Sequence, residues 1–307
     1  MTDLDPTVRV VLAALQKRGV KSFEQLTVAQ AREIVGTFPQ LQNTPEEVAR
    51  VEDKSLDGVP LRIYTPAAAN GSGVLYVHGG GWIGGDLTVC DEPARALANE
   101  TGATVVATTY HLAPEARFPA QPDDVFAALE WLHASAASLG IDPRRIAIIG
   151  DSAGGNLAAV TAIRARDAGL PLAAQVLIYP VIDRRCQGES KRKYAEGYLI
   201  TRAAVDWFWD HYLSKPSDIE STLASPLNAS TLKSLPPALI LAAEYDPSHD
   251  EAIEYSSALK AAGNDVVDVS LDGLIHGVFW MSGAVPRSNE ILEAIGKFLA
   301  PRLAHPS

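Results

Sequence analysis

The spacing of apolar residues divides the chain into a helical start and a long alternation of strands and helices. Over the first 45 or so residues, apolar positions recur at steps of three and four, as on one face of a helix. These positions are Val8, Val11, Leu12 and Leu15, followed by Ala29, Ile34 and Val35. From Val59 the period changes to two, which predicts a half-buried strand that ends at Pro66.

From Val74 onward, short apolar runs alternate with segments of helix length. The predicted strands are 74–77, 104–108, 146–149, 174–179, 238–242 and 266–271. The predicted helices are 94–100, 123–139, 153–168, 250–262 and 288–303. Continuous apolar strands are typical of sheets that are buried on both faces. The pattern therefore predicts an α/β fold, with a mainly parallel central sheet flanked by helices.

One insertion interrupts this alternation. About 58 residues separate the strand that ends at Tyr179 from the strand that begins at Ala238, far more than an ordinary connection needs. The insertion is polar at first and then aromatic, with Trp207, Phe208, Trp209 and Tyr212 close together. With the N-terminal 45 residues it is expected to form a helical cap over one edge of the sheet. The aromatic residues fit a helix packed on the core, or else the wall of a substrate site.

Composition excludes several classes of protein. The 307 residues carry a formal net charge of −11, and 47% of them are hydrophobic and 21% charged. Such values are typical of a globular protein of one large or two small domains, and they exclude disordered and fibrous classes. An acidic surface repels phosphate, so neither nucleic acid nor an anionic membrane surface is expected as a partner.

Neither the cysteines nor the apolar runs indicate secretion or a membrane. Cys90 and Cys186 lie 96 positions apart and form no redox or metal-binding motif, so two free thiols are expected. The start of the chain lacks the basic and then apolar pattern of a signal peptide, and no run approaches 18 apolar residues. These features predict a cytoplasmic location.

The strongest chemical signal is the GxSxG sequence at residues 150–154. A predicted strand leads directly into it and a predicted helix leaves it, as in the turn that exposes a nucleophilic serine. Gly150 and Gly154 leave room for such a turn, and the helix that begins at Ala153 directs free N–H groups toward a nearby oxyanion. Ser152 is therefore the candidate nucleophile. The alternative, an ordinary helix N-cap, would not need glycine on both sides.

Three consecutive glycines follow the strand at 74–77. Gly79, Gly80 and Gly81 are expected to present bare backbone N–H groups to a developing negative charge. The same stretch matches the dinucleotide pattern GxGxxG, but no helix pattern follows it and no acidic residue ends the next strand, so that alternative is disfavoured. A purely structural glycine turn is the remaining alternative. His78, which precedes the glycines, is expected to brace the loop.

An activated serine needs a histidine within reach and a carboxylate that orients it. His276 follows the last predicted strand and precedes the last helix, which is where the base belongs in an enzyme with the chain order Ser, Asp, His. The alternative for His276 is a buried structural histidine. Asp246, after the preceding strand, is the expected carboxylate, and Glu244 and Asp250 are the alternatives.

Taken together, these motifs resemble those of the hormone-sensitive-lipase-like carboxylesterases, an α/β-hydrolase family. The resemblance rests on HGGGW (78–82), YHLAPEARFPA (110–120), GDSAGGNLA (150–158), EYDPSHDEA (244–252) and IHGV (275–278), which span most of the chain in the family's order. It implies hydrolysis of short- to medium-chain esters without a cofactor or metal, by an acyl-enzyme on Ser152. It places the oxyanion donors at Gly80, Gly81 and Ala153.

The resemblance also implies a domain plan and an oligomeric state. The cap would comprise residues 1–45 and 183–225, the catalytic domain would comprise residues 46–182 and 226–307, and two copies of the chain would associate. The chain departs from the family at His111, where Arg is frequent, and at Ser248-His249, where Leu-Arg is frequent. Because of His249, the contacts around Asp246 stay open at this stage.

Other functions on the same fold stay open at this stage. An amidase, peptidase or thioesterase would use the same serine, histidine and aspartate, and only substrates distinguish them. A non-catalytic receptor for a small molecule would be marked by loss of the nucleophile or the base, and both Ser152 and His276 are present.

Overall fold

A computed structural model describes residues 3–304; residues 1, 2 and 305–307, at the ends of the predicted cap segment and catalytic domain, lie outside the described residues. The strands are β1 (Arg50–Leu56), β2 (Val59–Thr65), β3 (Gly73–Val77), β4 (Thr104–Thr108), β5 (Ile146–Asp151), β6 (Ala174–Ile178), β7 (Ala238–Tyr245) and β8 (Val266–Ile275). The helices are α1 (Pro6–Lys17), α2 (Val28–Val35), α3 (Asp91–Thr101), α4 (Ala120–Ser135), α5 (Ala153–Ala168), α6 (Ser190–Lys193), α7 (Arg202–Tyr212), α8 (His249–Ala261) and α9 (Asn289–Leu299).

The eight strands form one sheet, in the order β1-β2-β4-β3-β5-β6-β7-β8. From β4 through β8 every neighbouring pair is parallel, while β1 and β2 are antiparallel additions at one edge. Every residue of β3, β4, β5 and β6 is buried, because helices cover both faces of the sheet. The predicted α/β fold with a mainly parallel central sheet is confirmed.

Two strands differ most from the predictions. The pattern gave no signal for β1, because an edge strand exposed along most of its length needs no apolar alternation. β8 runs to Ile275 rather than stopping near Leu271. Asp272-Gly273 has the composition of a turn, but Gly273 adopts φ 77° within the strand, at a shift in the register between β7 and β8. Apart from α5, which matches its prediction, the predicted helix bounds differ from the observed ones by a few residues.

The N-terminal segment and the insertion contact each other above the carboxyl ends of the strands. The ring of Phe23 lies 5.3 Å from that of Phe208 on α7, and the hydroxyls of Ser22 and Thr201 are 3.2 Å apart.

Within residues 3–304, no helix combines the length and the apolar character needed to cross a membrane.

Candidate active site

Ser152 lies at a sharp turn between β5 and α5, at the carboxyl end of a central strand. Its φ of 55° and ψ of −120° are a conformation that residues other than glycine rarely adopt. The flanking glycines leave the space for this turn. A Cβ atom on Gly150 would overlap the carbonyl oxygen of Gly154, and one on Gly154 would overlap that of Val77. The sequence therefore folds so that Ser152 stands at the N-terminus of α5.

Asp246 and His276 reach Ser152 from the ends of β7 and β8, which lie beyond β6 in the sheet. Nε2 of His276, which follows β8, lies 2.7 Å from Oγ of Ser152. Nδ1 of the same ring lies 2.6 Å from Oδ2 of Asp246, which follows β7. The other carboxylate oxygen of Asp246 accepts from the N–H of Ser248 at 2.7 Å. The structure thus brings together the three residues that the sequence singled out.

These contacts fix the direction of each hydrogen bond. An ionised carboxylate only accepts, so Nδ1 of His276 carries the ring proton toward Asp246. In the neutral ring Nε2 is then the acceptor, and the hydroxyl of Ser152 donates to it. This arrangement can take the proton of the serine hydroxyl as the oxygen attacks a substrate.

The environment of His276 shifts its pKa upward. Burial alone would lower the pKa of this ring, but the charge of Asp246 and its hydrogen bond to Nδ1 outweigh burial, with smaller contributions from Asp151 and Glu251. The aromatic ring of Tyr179 covers the imidazole at a centroid distance of 4.8 Å. The net pKa of His276 lies above its ordinary value of 6.5.

A raised pKa has a definite consequence for the pH dependence of turnover. A histidine can act as a base only when it is neutral, so a base role for His276 predicts that kcat/KM falls as the pH decreases through its pKa. We therefore expect the acid limb of the kcat/KM profile to have its midpoint above pH 6.5. Initial rates on a short ester across that range measure it, and a midpoint at or below this value would contradict the electrostatic argument.

The second part of the site is the glycine turn after β3. Gly80 and Gly81 adopt φ values of 105° and 61°, and the N–H groups of Ile83 and Gly84 close the turn on the carbonyl of Gly80 at 3.2 and 3.1 Å. Among the described residues 3–304, no hydrogen bond uses the N–H of Gly80, Gly81 or Ala153 as its donor. Gly80, Gly81, Ser152 and His276 all line one cavity, so these free donors border the serine.

Gly80→Ala should disable this turn. The methyl group would overlap the carbonyl oxygen of Gly84, and φ 105° is unfavourable for alanine. We expect kcat to fall by about 10²–10³, the cost of losing one well-placed oxyanion donor. Gly169→Ala is the matched control, because Gly169 has φ 71° but open space around its Cβ, at the far end of α5. Equal losses in the two variants would contradict a specific role for the turn.

Asp151 ties the glycine turn to the serine. Its Oδ1 accepts from the N–H of Gly79 at 3.2 Å and from the hydroxyl of Tyr76 at 2.9 Å, and Tyr76 in turn accepts from the indole of Trp280 at 3.3 Å. Complete burial raises the pKa of Asp151 to about 7. The carboxyl group joins β5 to the turn after β3 and is not itself in contact with His276.

A family model for the alpha/beta hydrolase fold matches residues 74–280, about two thirds of the chain. The chain belongs to the alpha/beta hydrolase family.

Several members of this family resemble the chain over most of its length. The arylesterase of Saccharolobus solfataricus is 33% identical and covers 96% of this chain and 98% of its own. The carboxylesterase NlhH of Mycobacterium tuberculosis is 38% identical, with 97% and 95% covered. The solved hyperthermophilic esterase of Pyrobaculum calidifontis is 36% identical, with a TM-score of 0.91 over 97% of this chain and 98% of that chain. The resemblance to hormone-sensitive-lipase-like carboxylesterases is confirmed.

In this alpha/beta hydrolase the two alternative carboxylates and the ring of His249 form hydrogen bonds with backbone groups. Oε2 of Glu244 accepts from the N–H of Gly273 at 2.8 Å, and Oδ2 of Asp250 accepts from that of Ser190 at 2.9 Å. Nδ1 of His249 lies 2.8 Å from the carbonyl oxygen of Ala243, so this ring binds a backbone group and not the carboxylate of Asp246.

His78 and His111 also have structural partners in this fold. His78 is buried against the ring of Tyr110, 4.7 Å away, and its Nδ1 lies 2.7 Å from the carbonyl oxygen of Gly79. It braces the glycine turn, as predicted. His111 pairs with Asp124 at 2.8 Å.

The cavity above Ser152 is apolar and is built from three parts of the chain. The N-terminal segment supplies Phe23, Val35 and Phe38, the insertion supplies Leu199, Ile200, Val205 and Phe208, and the sheet side supplies Trp82, Val181 and Trp280. Both roles predicted for the aromatic residues, core packing and a substrate wall, occur on α7. Phe208 faces the cavity, whereas Trp209 and Tyr212 are fully buried against Trp82, with centroid distances of 4.5 and 4.2 Å.

Tyr179 is a site residue that sequence reasoning missed. It follows β6 with φ 35°, its ring lies against His276, and its hydroxyl accepts from the N–H of Phe279 at 3.2 Å. Its position at the carboxyl end of a central strand, directly before Pro180, was the available signal.

No group of three or more His, Cys, Asp or Glu side chains between residues 3 and 304 is placed to hold a metal ion.

Proposed function

We propose that this protein is a serine carboxylesterase that hydrolyses short- to medium-chain esters through an acyl-enzyme on Ser152. The observation that carries the proposal is the pair of hydrogen bonds that link Ser152, His276 and Asp246 beside unpaired N–H groups. The relatives support the substrate class, because they include an ethyl acetate hydrolase of Pseudomonas putida, 37% identical over 84% of each chain.

The first half of the reaction acylates the enzyme. His276 accepts the hydroxyl proton as Oγ of Ser152 attacks the ester carbonyl carbon, and Asp246 stabilises the imidazolium that forms. The N–H groups of Gly80, Gly81 and Ala153 bind the oxyanion of the tetrahedral intermediate. The bond to the alkoxy oxygen then breaks, and His276 gives its proton to the departing alcohol.

The second half returns the enzyme to its starting state. A water molecule gives a proton to His276 and attacks the acyl carbon, and the same N–H groups bind the second oxyanion. The bond to Oγ breaks, His276 returns the proton to Ser152, and the carboxylic acid leaves. No cofactor or metal enters either half of the proposal.

The lining of the cavity supports the domain plan that the family resemblance implies. In this plan residues 1–45 and 183–225 would form the cap, and residues 46–182 and 226–307 would form the catalytic domain. Phe23, Phe38 and Phe208 lie on the cap side of the cavity and would bound the acyl or alcohol group. The homodimer and the cytoplasmic location stay predictions; size-exclusion chromatography with light scattering would test the first.

The direct test is hydrolysis of a series of nitrophenyl esters with about two to sixteen acyl carbons. We expect turnover on the short and medium chains and a decline on the long ones, because bulky rings of the cap bound the apolar cavity. Folded protein that hydrolyses none of them would contradict the proposal. Amide and thioester substrates, together with ligand screening, would then examine the amidase, thioesterase and receptor alternatives.

A further inference from the structure

Arg32 on α2 reaches from the N-terminal segment to the glycine turn and the loop beside it. Its Nε donates to the carbonyl oxygen of Ile83 at 2.7 Å, and its Nη2 donates to that of Ala113 at 3.0 Å. Both Nη atoms also bind the carboxylate of Glu115, at 2.9 and 2.5 Å. A single side chain therefore joins three segments of the fold.

The two carbonyl groups that Arg32 binds belong to the turn and to its immediate support. Ile83 is the residue whose own N–H closes the turn on Gly80, and the N–H of Ala113 donates to the carbonyl of Trp82 at 2.9 Å. A charged guanidinium forms stronger hydrogen bonds than a neutral donor, and its planar geometry fixes both acceptors relative to each other. Arg32 thus holds the outer side of the turn while Gly80 and Gly81 face the cavity.

Helix α2 lies against the side of the glycine turn that faces away from the cavity. A Cβ atom on Gly80 would overlap the carbonyl of Gly84, and one on Gly84 would lie 3.5 Å from a methyl carbon of Val35, one turn along α2 from Arg32. The turn therefore lies between the cavity and α2. If α2 moved away, the peptide between Ile83 and Gly84 would lose its charged partner and the turn could relax outward.

We infer that Arg32 is a positioning residue that holds the oxyanion turn in its productive shape from the cap side. The inference rests on the proposed function, because it takes the N–H groups of Gly80 and Gly81 as the oxyanion donors. Donors of this kind must be held within about 0.5 Å of their working position. On this view the N-terminal segment supplies a wall of the cavity and also contributes to the chemical step.

Four variants separate the effect of the carbonyl bonds from that of the ion pair and from that of the positive charge alone. Arg32→Gln removes the charged donor that binds Ile83 and Ala113, and Arg32→Lys retains a positive group that can reach one of them. Glu115→Gln leaves both carbonyl bonds in place and removes only an exposed ion pair, since 64% of the Glu115 side chain is exposed. Arg18→Gln, at an exposed position after α1, controls for the loss of one positive charge from the same segment.

The kinetic test uses a short nitrophenyl ester and compares kcat with KM. We expect Arg32→Gln to lower kcat by about 10- to 100-fold, a part of the cost of losing a donor outright, with little change in KM. Arg32→Lys should recover part of that loss, and Glu115→Gln and Arg18→Gln should stay close to wild type. Thermal unfolding establishes that each variant is folded. An unchanged kcat in folded Arg32→Gln, or a lysine variant no better than glutamine, would overturn the inference.

A pair of ligands tests the oxyanion directly. A short alkyl trifluoromethyl ketone accepts Oγ of Ser152 at its carbonyl carbon, the serine proton passes to His276, and the carbonyl oxygen becomes an oxyanion. The corresponding trifluoromethyl alcohol fills the same cavity and cannot form this adduct. Arg32→Gln should weaken the ketone in step with kcat and leave the alcohol unchanged.

Equal weakening of both ligands would overturn the inference, because it would indicate general damage to the cavity. Failure of the proposed function gives a different result. In that case the wild-type protein itself would neither hydrolyse the esters nor bind the ketone more tightly than the alcohol.

Discussion

Ser152→Ala is expected to lower kcat on nitrophenyl esters by about 10⁶ and to leave the protein folded. The substitution removes the atom that we propose forms the acyl-enzyme, and the described residues that line the cavity include no other hydroxyl or thiol. The methyl group of alanine fits where the Cβ of serine already lies, and the flanking glycines that permit the turn are unchanged. Circular dichroism and thermal unfolding should therefore resemble those of the wild type.

Labelling provides a second readout for the same variant. A phosphonate ester should add one group per chain to the wild-type protein, seen as a mass shift, and none to Ser152→Ala. Ser138→Ala is the control, because the hydroxyl of Ser138 is exposed and donates only to the carbonyl of Ser135. A folded Ser152→Ala variant with near-full activity would refute the assignment of the nucleophile.

Asp246→Asn is the second large effect, with an expected loss of about 10⁴ in kcat. The amide of asparagine can donate to Nδ1 of His276, which would place the ring proton on Nε2, facing Ser152. The imidazole could then no longer accept the serine proton, although every heavy atom would keep its place. The loss of the negative charge should also lower the pKa of His276, so the acid limb of the residual kcat/KM should move to lower pH.

The two carboxylates that the sequence left open are the controls. Glu244→Gln and Asp250→Asn keep an amide oxygen that can accept from Gly273 and Ser190, so both should retain most of the wild-type kcat. The assignment of Asp246 would be wrong if either variant lost more activity than Asp246→Asn.

The parts of the fold that the sequence predicts are those governed by local patterns. The strands 146–149 and 238–242 are apolar throughout, because helices cover both faces of the sheet, and α5 was bounded correctly by the turn at Ser152 and by Gly169. The meeting of Ser152, Asp246 and His276 could also be predicted. Each of them follows a strand, and the carboxyl ends of parallel strands lie at one edge of the sheet.

The features that escaped prediction depend on partners far away in the chain. β1 is polar because it lies at the edge of the sheet, and nothing in its composition reveals that β2 will pair with it. Arg32 could only be recognised once Ile83 and Ala113 were placed beside it, 51 and 81 positions further on. Likewise the division between Phe208 and its neighbours depends on Phe23, which packs on it from the N-terminal segment.

The placement of the N-terminal segment also constrains the order in which the chain folds. This segment is synthesised first, yet several of the groups that hold it lie late in the chain: the N–H of Asp5 donates to the carbonyl of Gly273, that of Asn43 to the hydroxyl of Ser282, and the carbonyl of Leu41 accepts from the N–H of Gly283. Contacts of such sequence separation form slowly. During translation these three contacts can form only after nearly the whole chain has left the ribosome. We expect esterase activity to arise only in the last step of folding, after release of the completed chain.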